Sequence, residues 1–338
     1  MKLTIREVAR TAGVSVATAS MALNHRDGVS EKTREKVERV ARELNYIPDF
    51  SARSLVMQDS KCIGLMIPEI QNPFYSAIVD IMSRIAEKKG YTLLLGISGS
   101  KPVQEERNLK MFLSRRVLGI VIVPMLMDKP DVSYLRLVRG TNVPLVFCTE
   151  RYADTDEPAV MCDFEKGEYD ITNFLLNKGL RDLCFVTVDV DTQFANLRMK
   201  GFVRALEEAG IAPREGRILR LKEARYDDAY EAADRIYADL PEAIVCINDI
   251  MTIGLIKKLS ERGVRVPRDL SVVGFDDVQV SALVTPQLTT VHQPMTEICE
   301  KTFDLLDEKI GAGDAQEAVG RGETHYIAPR LVIRESTI

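Results

Sequence analysis

Residues 8–24 read VARTAGVSVATASMALN, and the fold of the N-terminal part of the chain turns on this stretch. Ala12-Gly13-Val14 interrupts an apolar helical pattern, and Gly13 can take the positive φ that a tight turn needs. Ser15 is a favoured N-cap for a second helix running through Leu23, with Ala19 and Ala22 or Leu23 facing inward. Upstream, Thr4-Ile5-Arg6-Glu7 has the form of a capping box, followed by apolar residues at Ile5, Val8 and Ala9. Downstream, Ser30 caps a third helix in which Val37, Val40, Ala41 and Leu44 repeat at i, i+3, i+4 and i+7. Three short helices with this turn geometry suit either a small helical bundle or a helix-turn-helix headpiece for a DNA groove.

The 338 residues are too many for one compact core, so two or three domains are expected. The charge is −5 overall, yet residues 1–60 carry ten Lys and Arg against eight Asp and Glu, a small positive excess on an acidic body. No run of eighteen apolar residues suggests a membrane span, and the charged start MKLTIREVARTAG does not resemble a secretory signal. The six cysteines lack a CxxC pair and sit mostly in apolar runs, which favours buried thiols and a cytoplasmic location over disulfides. His25, His292 and His325 are far apart, so neither a metal site nor a histidine-based triad is expected. GISGS (96–100) has Ser100 where a nucleophile elbow needs glycine, and neither a P-loop nor HExxH occurs. The chain reads as a non-enzyme without a cofactor.

From Cys62 onward, continuous apolar runs alternate with amphipathic stretches: CIGLMIP, YTLLLGI, LGIVIVP and VPLVFCT, then LCFVTVD, ILRL, AIVCIN and LSVVGFD. Runs of this kind mark parallel strands covered on both faces, and two sets predict two doubly wound α/β lobes. The shift between them falls near Asp163, and LTTVHQP (288–294) reads as a return crossing.

Several of these stretches together resemble the lactose-repressor/galactose-repressor (LacI/GalR) family of bacterial transcription regulators. They are VARTAGVSVATASMALN, VSEKTREKV, LNYIPDFSARSL, SVVGFDD, PQLTTVHQP and the closing LVIRES, in the same order and spacing from about Leu3 to Thr337. The resemblance implies an all-α helix-turn-helix headpiece (1–47), a hinge helix or linker (48–60) and a two-lobed body (61–338) like that of periplasmic sugar-binding proteins. The first lobe would take about 61–162 and 292–321, the second about 163–291 and 322–338. It further implies a homodimer on a double-stranded, pseudo-palindromic operator, with a small sugar-like effector between the lobes. The chain shows no heptad-patterned tail at Ile338, which favours a dimer over a tail-mediated tetramer. An alternative within the same body fold is a solute-binding protein of a sugar transporter.

Carried over residue by residue, the family pattern places Val16, Ala17 and Met21 at base-reading positions. It places Thr4, Ser15, Thr18, Ser20, Asn24, Ser30 and Thr33 on phosphates. Ala52 and Leu55 match the hinge helix, whose leucine wedges into a minor-groove step. Met21 stands where the family commonly has an arginine suited to guanine, so only apolar contact is available there. Asp49 stands where an asparagine is usual.

For the effector, Asn72 and Phe74 follow the first strand, Arg198 lies in NLRMKGF, and Asn248, Asp249 and Asp276 follow later strands. The resemblance implies that Arg198 and Asp276 bind ligand hydroxyls and that Phe74 stacks on the ring. Asn248-Asp249 reads equally as a helix N-cap. Thr149 replaces an aspartate common in the family, which leaves Glu150 or Arg151 as a substitute, or an effector that carries a negative charge. His292 and Gln293 are assigned to the crossing between lobes rather than to the pocket.

Overall fold

The computed structural model describes residues 3–46, 61–128, 130–153, 155–214, 216–313 and 322–338, and they divide into two compact units, one before and one after residue 60. Among the described residues the first unit contains α1 (Ile5–Ala12), α2 (Val16–Leu23) and α3 (Glu31–Glu43). Each helix starts as its sequence dictates. Thr4 and Glu7 form the capping box, with Thr4 N–H donating to the Glu7 carboxylate at 2.8 Å. Ser15 accepts from Thr18 N–H at 3.0 Å, and Ser30 from Thr33 N–H at 3.4 Å. Gly13 ends α1 at φ +66°, the left-handed conformation the turn requires. The core of this unit is small: Val8, Ala9, Ala12, Ala19, Ala22, Val37, Val40 and Ala41. Alanines where α2 meets its neighbours let the three backbones approach closely.

The second unit contains two six-stranded sheets. The first has strand order β11-β5-β4-β3-β1-β2 and draws on β1 (Cys62–Ile67), β2 (Thr92–Ile97), β3 (Gly119–Ile122), β4 (Leu145–Thr149), β5 (Ala159–Cys162) and β11 (Thr324–Ile327). Its helices are α4 (Pro73–Lys88), α5 (Pro102–Ser114), the short α6 (Arg136–Arg139) and α11 (Met295–Ala312), the last lying against β3, β4 and β5. The second sheet, ordered β12-β10-β9-β8-β6-β7, uses β6 (Leu183–Val188), β7 (Ile218–Leu221), β8 (Ala243–Cys246), β9 (Ser271–Asp276), β10 (Thr289–His292) and β12 (Arg330–Val332). Its helices are α7 (Phe164–Asn177), α8 (Gln193–Glu208), α9 (Tyr226–Tyr237) and α10 (Asp249–Glu261). Every pairing is parallel except β10 with β12. Strands β3, β4, β6 and β8 are buried at every residue, which is why they read as unbroken apolar runs.

The chain crosses between the lobes after β5, after β10 and again between β11 and β12. The last crossing corrects the sequence reading. Residues 324–327, assigned there to the second lobe, pair with β5 in the first sheet, so the change of lobe falls at 328–329 rather than at 322. His292 likewise closes β10 of the second sheet instead of opening the returning segment of the first lobe. Both strands are only four residues long and lack the apolar runs that marked the others. Among the described residues, no helix is long and apolar enough to cross a membrane. The six cysteines carry free thiols, five of them buried.

Helices α7 and α8 pack closely because α8 presents Gly201 to α7. A β-carbon there would lie 2.3 Å from the Glu165 carbonyl oxygen and 2.9 Å from Glu168 Cβ. Neither neighbour can yield without moving α7. Gly201→Ala is therefore expected to destabilise the second unit by roughly 1–3 kcal/mol in urea unfolding; an unchanged midpoint would show that the two helices can separate freely.

Candidate functional site

Two surfaces carry the residues singled out in the sequence. On the headpiece, Val16 is 44% exposed at the first turn of α2, an uncommon setting for a branched apolar side chain. Ala17 beside it is exposed, and Met21 one turn on is half-buried. Around this apolar tip stand hydroxyls and an amide. Ser15 and Thr18 share a hydrogen bond of 2.8 Å, Ser30 and Thr33 one of 2.9 Å, and Asn24 donates to the Ser20 carbonyl at 2.8 Å. Thr4, Ser15 and Ser30 are exposed at the N-termini of α1, α2 and α3, where free amides favour an anion. Ala52 and Leu55 lie outside the described residues.

The second surface is a cavity of about 580 Å³ between the two sheets, lined from both lobes by residues that follow the carboxyl ends of strands. Asn72, Phe74, Thr149, Asn248 and Asp276 all line it, as the sequence reading expects. Asn72 also caps α4 by accepting from Phe74 N–H at 3.0 Å, which fixes the Phe74 ring at the cavity wall. Asn248 caps α10, accepting from Met251 N–H at 2.7 Å, so its cap and lining roles coexist. Thr149 and Asp276 both adopt positive φ, +68° and +114°. Non-glycine residues held there cost on the order of 1–3 kcal/mol each, and such strain gathers at ligand sites.

Arg198 and Asp249 depart from expectation. Neither has exposed surface. Arg198 lies beneath the cavity floor, its guanidinium carbon 3.6, 4.3 and 4.9 Å from the ring centres of Phe275, Phe194 and Phe164. Its Nη1 donates to the Ile247 carbonyl and its Nη2 sits 3.5 Å from Asp276 Oδ1. Asp249 is an internal tie. It accepts from Val278 N–H at 3.0 Å and from the Ser281 and Thr290 hydroxyls, each at 2.6 Å. Both residues fall on the inward stripe of their helices, and that spacing carried the signal. On α8 the stripe is Ala195, Arg198, Phe202 and Ala205; on α10 Asp249 precedes Thr252 and Leu255.

Other lining residues were passed over. Gln293, assigned to the crossing, lines the cavity and donates through Nε2 to Asp276 Oδ1 at 2.7 Å. His292, the last residue of β10, is not among the lining residues and is bonded to Asp277 at 2.9 Å. Glu150 takes the place beside Thr149, lining the cavity and accepting from Phe194 N–H at 3.2 Å, whereas Arg151 turns away to Thr324. Tyr75, Phe164 and Phe194 complete the aromatic walls, in edge-to-face pairs Phe74–Tyr75 and Phe164–Phe194, each at 5.4 Å. All follow strand ends, which is the rule that would have found them. The loop after β3 is braced from behind: Met125 N–H donates to the Tyr152 hydroxyl, which with Tyr134 donates to Glu105 at 2.8 and 2.9 Å.

Burial governs the charges. It pushes the carboxyls of Glu150 and Glu168 up to about 8, with Arg198 pulling both back, and Glu105 up to about 7 against its two tyrosine donors. It also raises Asp276 and Asp249; Arg198 opposes the rise at Asp276, and the three donors oppose it at Asp249.

Comparison with known proteins matches residues 4–49 to the model of bacterial regulatory proteins of the lacI family and residues 172–337 to the periplasmic binding protein-like domain. An HTH-type transcriptional repressor PurR from Vibrio atlanticus (strain LGP32) is 33% identical over 318 residues, 94% of each chain. The chain belongs to the lacI family. It is a DNA-binding transcriptional repressor of that family with a ligand-binding body. The lac repressor dimer bound to operator and the anti-inducer ONPF matches with a TM-score of 0.86 at 26% identity, covering 100% of both chains. A CelR–cellobiose complex matches with a TM-score of 0.73 at 25% identity, covering 99% of both. Within this lacI-family chain the headpiece leaves the transporter alternative without support.

Glu168 offers a direct check of the buried charges, since it has no exposed surface and neither carboxyl oxygen has a hydrogen-bond partner. Its folded value of about 8 exceeds the unfolded 4.5, so the folded state keeps a proton that the unfolded chain sheds. The associated stability is complete below the unfolded value and is lost as pH rises toward 8. Glu168→Gln cannot ionise. Its melting temperature should gain on the parent progressively between pH 5 and pH 8, by on the order of 3 °C or more at the upper end; a constant difference would show Glu168 ionised in the fold.

Proposed function

We propose that the chain is a cytoplasmic, dimeric repressor without enzymatic activity that binds a pseudo-palindromic operator under control of a small sugar-like effector. One observation carries the effector half of this reading: a cavity of about 580 Å³ walled by strand ends of both sheets, in the same chain as a helix-turn-helix headpiece. Its volume suits a small ring compound. The edge-to-face aromatic pairs offer ring faces, and Asp276, Glu150, Asn248 and Gln293 offer polar groups able to fix hydroxyls. The solved relative holding cellobiose supports a sugar-like ligand.

Binding in such a cleft biases the two lobes toward one arrangement, and the effector changes operator affinity only by as much as it prefers that arrangement. On the DNA side, Val16, Ala17 and Met21 read bases by apolar contact. Thr4, Ser15, Thr18, Ser20, Asn24, Ser30 and Thr33 hold phosphates, and Ala52 and Leu55 meet the minor groove. A half-site read through Val16 and Met21 favours thymine methyl groups over guanine.

Selection of bound DNA from a random pool by the full-length protein tests the whole reading. Enrichment of one pseudo-palindrome is expected, and repetition with a panel of sugars, sugar phosphates and nucleobases identifies compounds that raise or lower the yield. No enrichment under any condition would overturn it. Met21→Arg is expected to change the selected base at one position of each half-site toward guanine, and an unchanged consensus would take Met21 out of the reading set. Asp276→Ala should raise the effector concentration for half-maximal response at least about tenfold, the loss of one charge-assisted hydrogen-bond pair. An unaltered response would remove Asp276 from the site.

A further inference from the structure

The headpiece residues assigned to DNA share a gap: none carries a positive charge, and Val16, Ala17 and Met21 have no side-chain donor for a base edge. A duplex presents a phosphate charge about every 1.7 Å of its axis, and guanine is read best by two donors in a fork. Several cations of the headpiece are engaged elsewhere. Arg34 lies with Nη1 3.4 Å from His25 Nδ1, donates through Nη2 to the Arg26 carbonyl at 3.2 Å, and buries its Nε. Arg39 pairs with Glu43 at 3.9 Å along α3, and Lys36 reaches toward the turn at Gly13. Arg26 differs from these. It is exposed, and among the described residues no hydrogen bond or ion pair holds its guanidinium.

The backbone places Arg26 beside Met21. Helix α2 ends in a Schellman cap, with His25 in the left-handed position at φ +50°. His25 N–H donates to the Ala22 carbonyl at 3.2 Å, and Arg26 N–H to the Met21 carbonyl at 3.0 Å. In such a cap the residue after the left-handed one folds back against the side chain five positions earlier, here Met21. Met21 meets the same loop further on, since a β-carbon on Gly28 would lie 3.0 Å from its methyl group. The loop after α2 is therefore built onto Met21, and Arg26 leaves it with both backbone polar groups already fixed.

We propose that Arg26 is a further base-reading residue, which donates its fork to a guanine in the major groove next to the base pair met by Met21. The assignment rests on reading α2 as the recognition helix. With the backbone pinned at N–H and carbonyl, only the side chain has to be ordered, and the planar guanidinium loses little freedom per hydrogen bond formed. Methionine beneath it is a soft apolar seat for the arginine stem, while the charged head stays free for the groove.

Selection of bound DNA from a random pool by the full-length parent, Arg26→Gln and Arg26→Lys tests this. The parent is expected to enrich guanine at one position of each half-site, distinct from the position that Met21→Arg changes. Arg26→Gln should move that position toward adenine, whose N6 and N7 suit an amide, and Arg26→Lys should keep the charge but weaken the preference. In titrations of labelled operator, replacing that guanine should weaken the parent about tenfold or more, and Arg26→Gln by less than about threefold. Thermal melts of both variants, altered only at an exposed side chain, report whether the headpiece stays folded. An unchanged consensus, with affinity lowered equally on every sequence and the salt slope reduced by about one, would make Arg26 a phosphate contact and overturn the assignment. Unchanged consensus and affinity would overturn it as well. A parent consensus without such a guanine overturns it while leaving the operator reading intact; no enrichment by the parent under any condition overturns both.

Discussion

A guanidinium with no exposed surface must find its partners inside the protein, and Arg198 lies at the junction of four elements with its Nε and Nη2 without a hydrogen-bond partner among the described residues. It projects from α8, is covered by Phe164 of α7 and Phe275 of β9, donates to the carbonyl of Ile247 after β8, and faces Asp276. Removing water from such a group costs several kcal/mol, which only a fixed set of partners can offset. The floor of the cavity is therefore shaped by the needs of a residue beneath it. Asp276, held at positive φ, turns Oδ1 toward both Arg198 and Gln293.

The opposite wall is arranged by the same logic with neutral partners. Glu105 is buried on α5, and two tyrosines on separate segments converge on one of its oxygens. One of them, Tyr152, also receives Met125 N–H from the cavity loop, so a carboxyl outside the cavity fixes a backbone inside it. One wall is thus set by a buried arginine and the other by a buried acid, neither of which lines the ligand space.

Much of this could be read in the sequence. The caps at Thr4, Ser15 and Ser30 and the turn at Gly13 were legible because a short polar side chain beside an apolar repeat has few other uses. Eight strands were legible as apolar runs, six of them (β1, β3, β4, β6, β8 and β9) because they are buried along nearly their whole length. Strands β11 and β12 were not: they are four and three residues long, lie at sheet edges, and keep polar residues such as His325 and Arg330. In the cavity, Asn72, Phe74, Thr149, Asn248 and Asp276 followed from the strand-end rule. Arg198 and Asp249 were placed at the ligand by the family resemblance, Asp249 equally at a helix cap, whereas their helical spacing puts both on a buried face. Gln293 was missed because a crossing segment was treated as separate from the space it encloses.

The three crossings between lobes leave each lobe discontinuous in the chain, and the final crossing adds β11 to the first sheet and β12 to the second. Both additions come from the last fifteen residues, 324–338, and Ser336 fastens them by accepting from Val272 N–H and donating to the Val272 carbonyl. During synthesis neither sheet can close until this tail has left the ribosome. A transcript shortened by a few dozen bases would leave the apolar β5 and the more polar β10 as open edges at once, each with unpaired backbone groups ready to pair with another chain. For this fold, a late nonsense mutation is expected to yield aggregation and clearance rather than a weakened regulator.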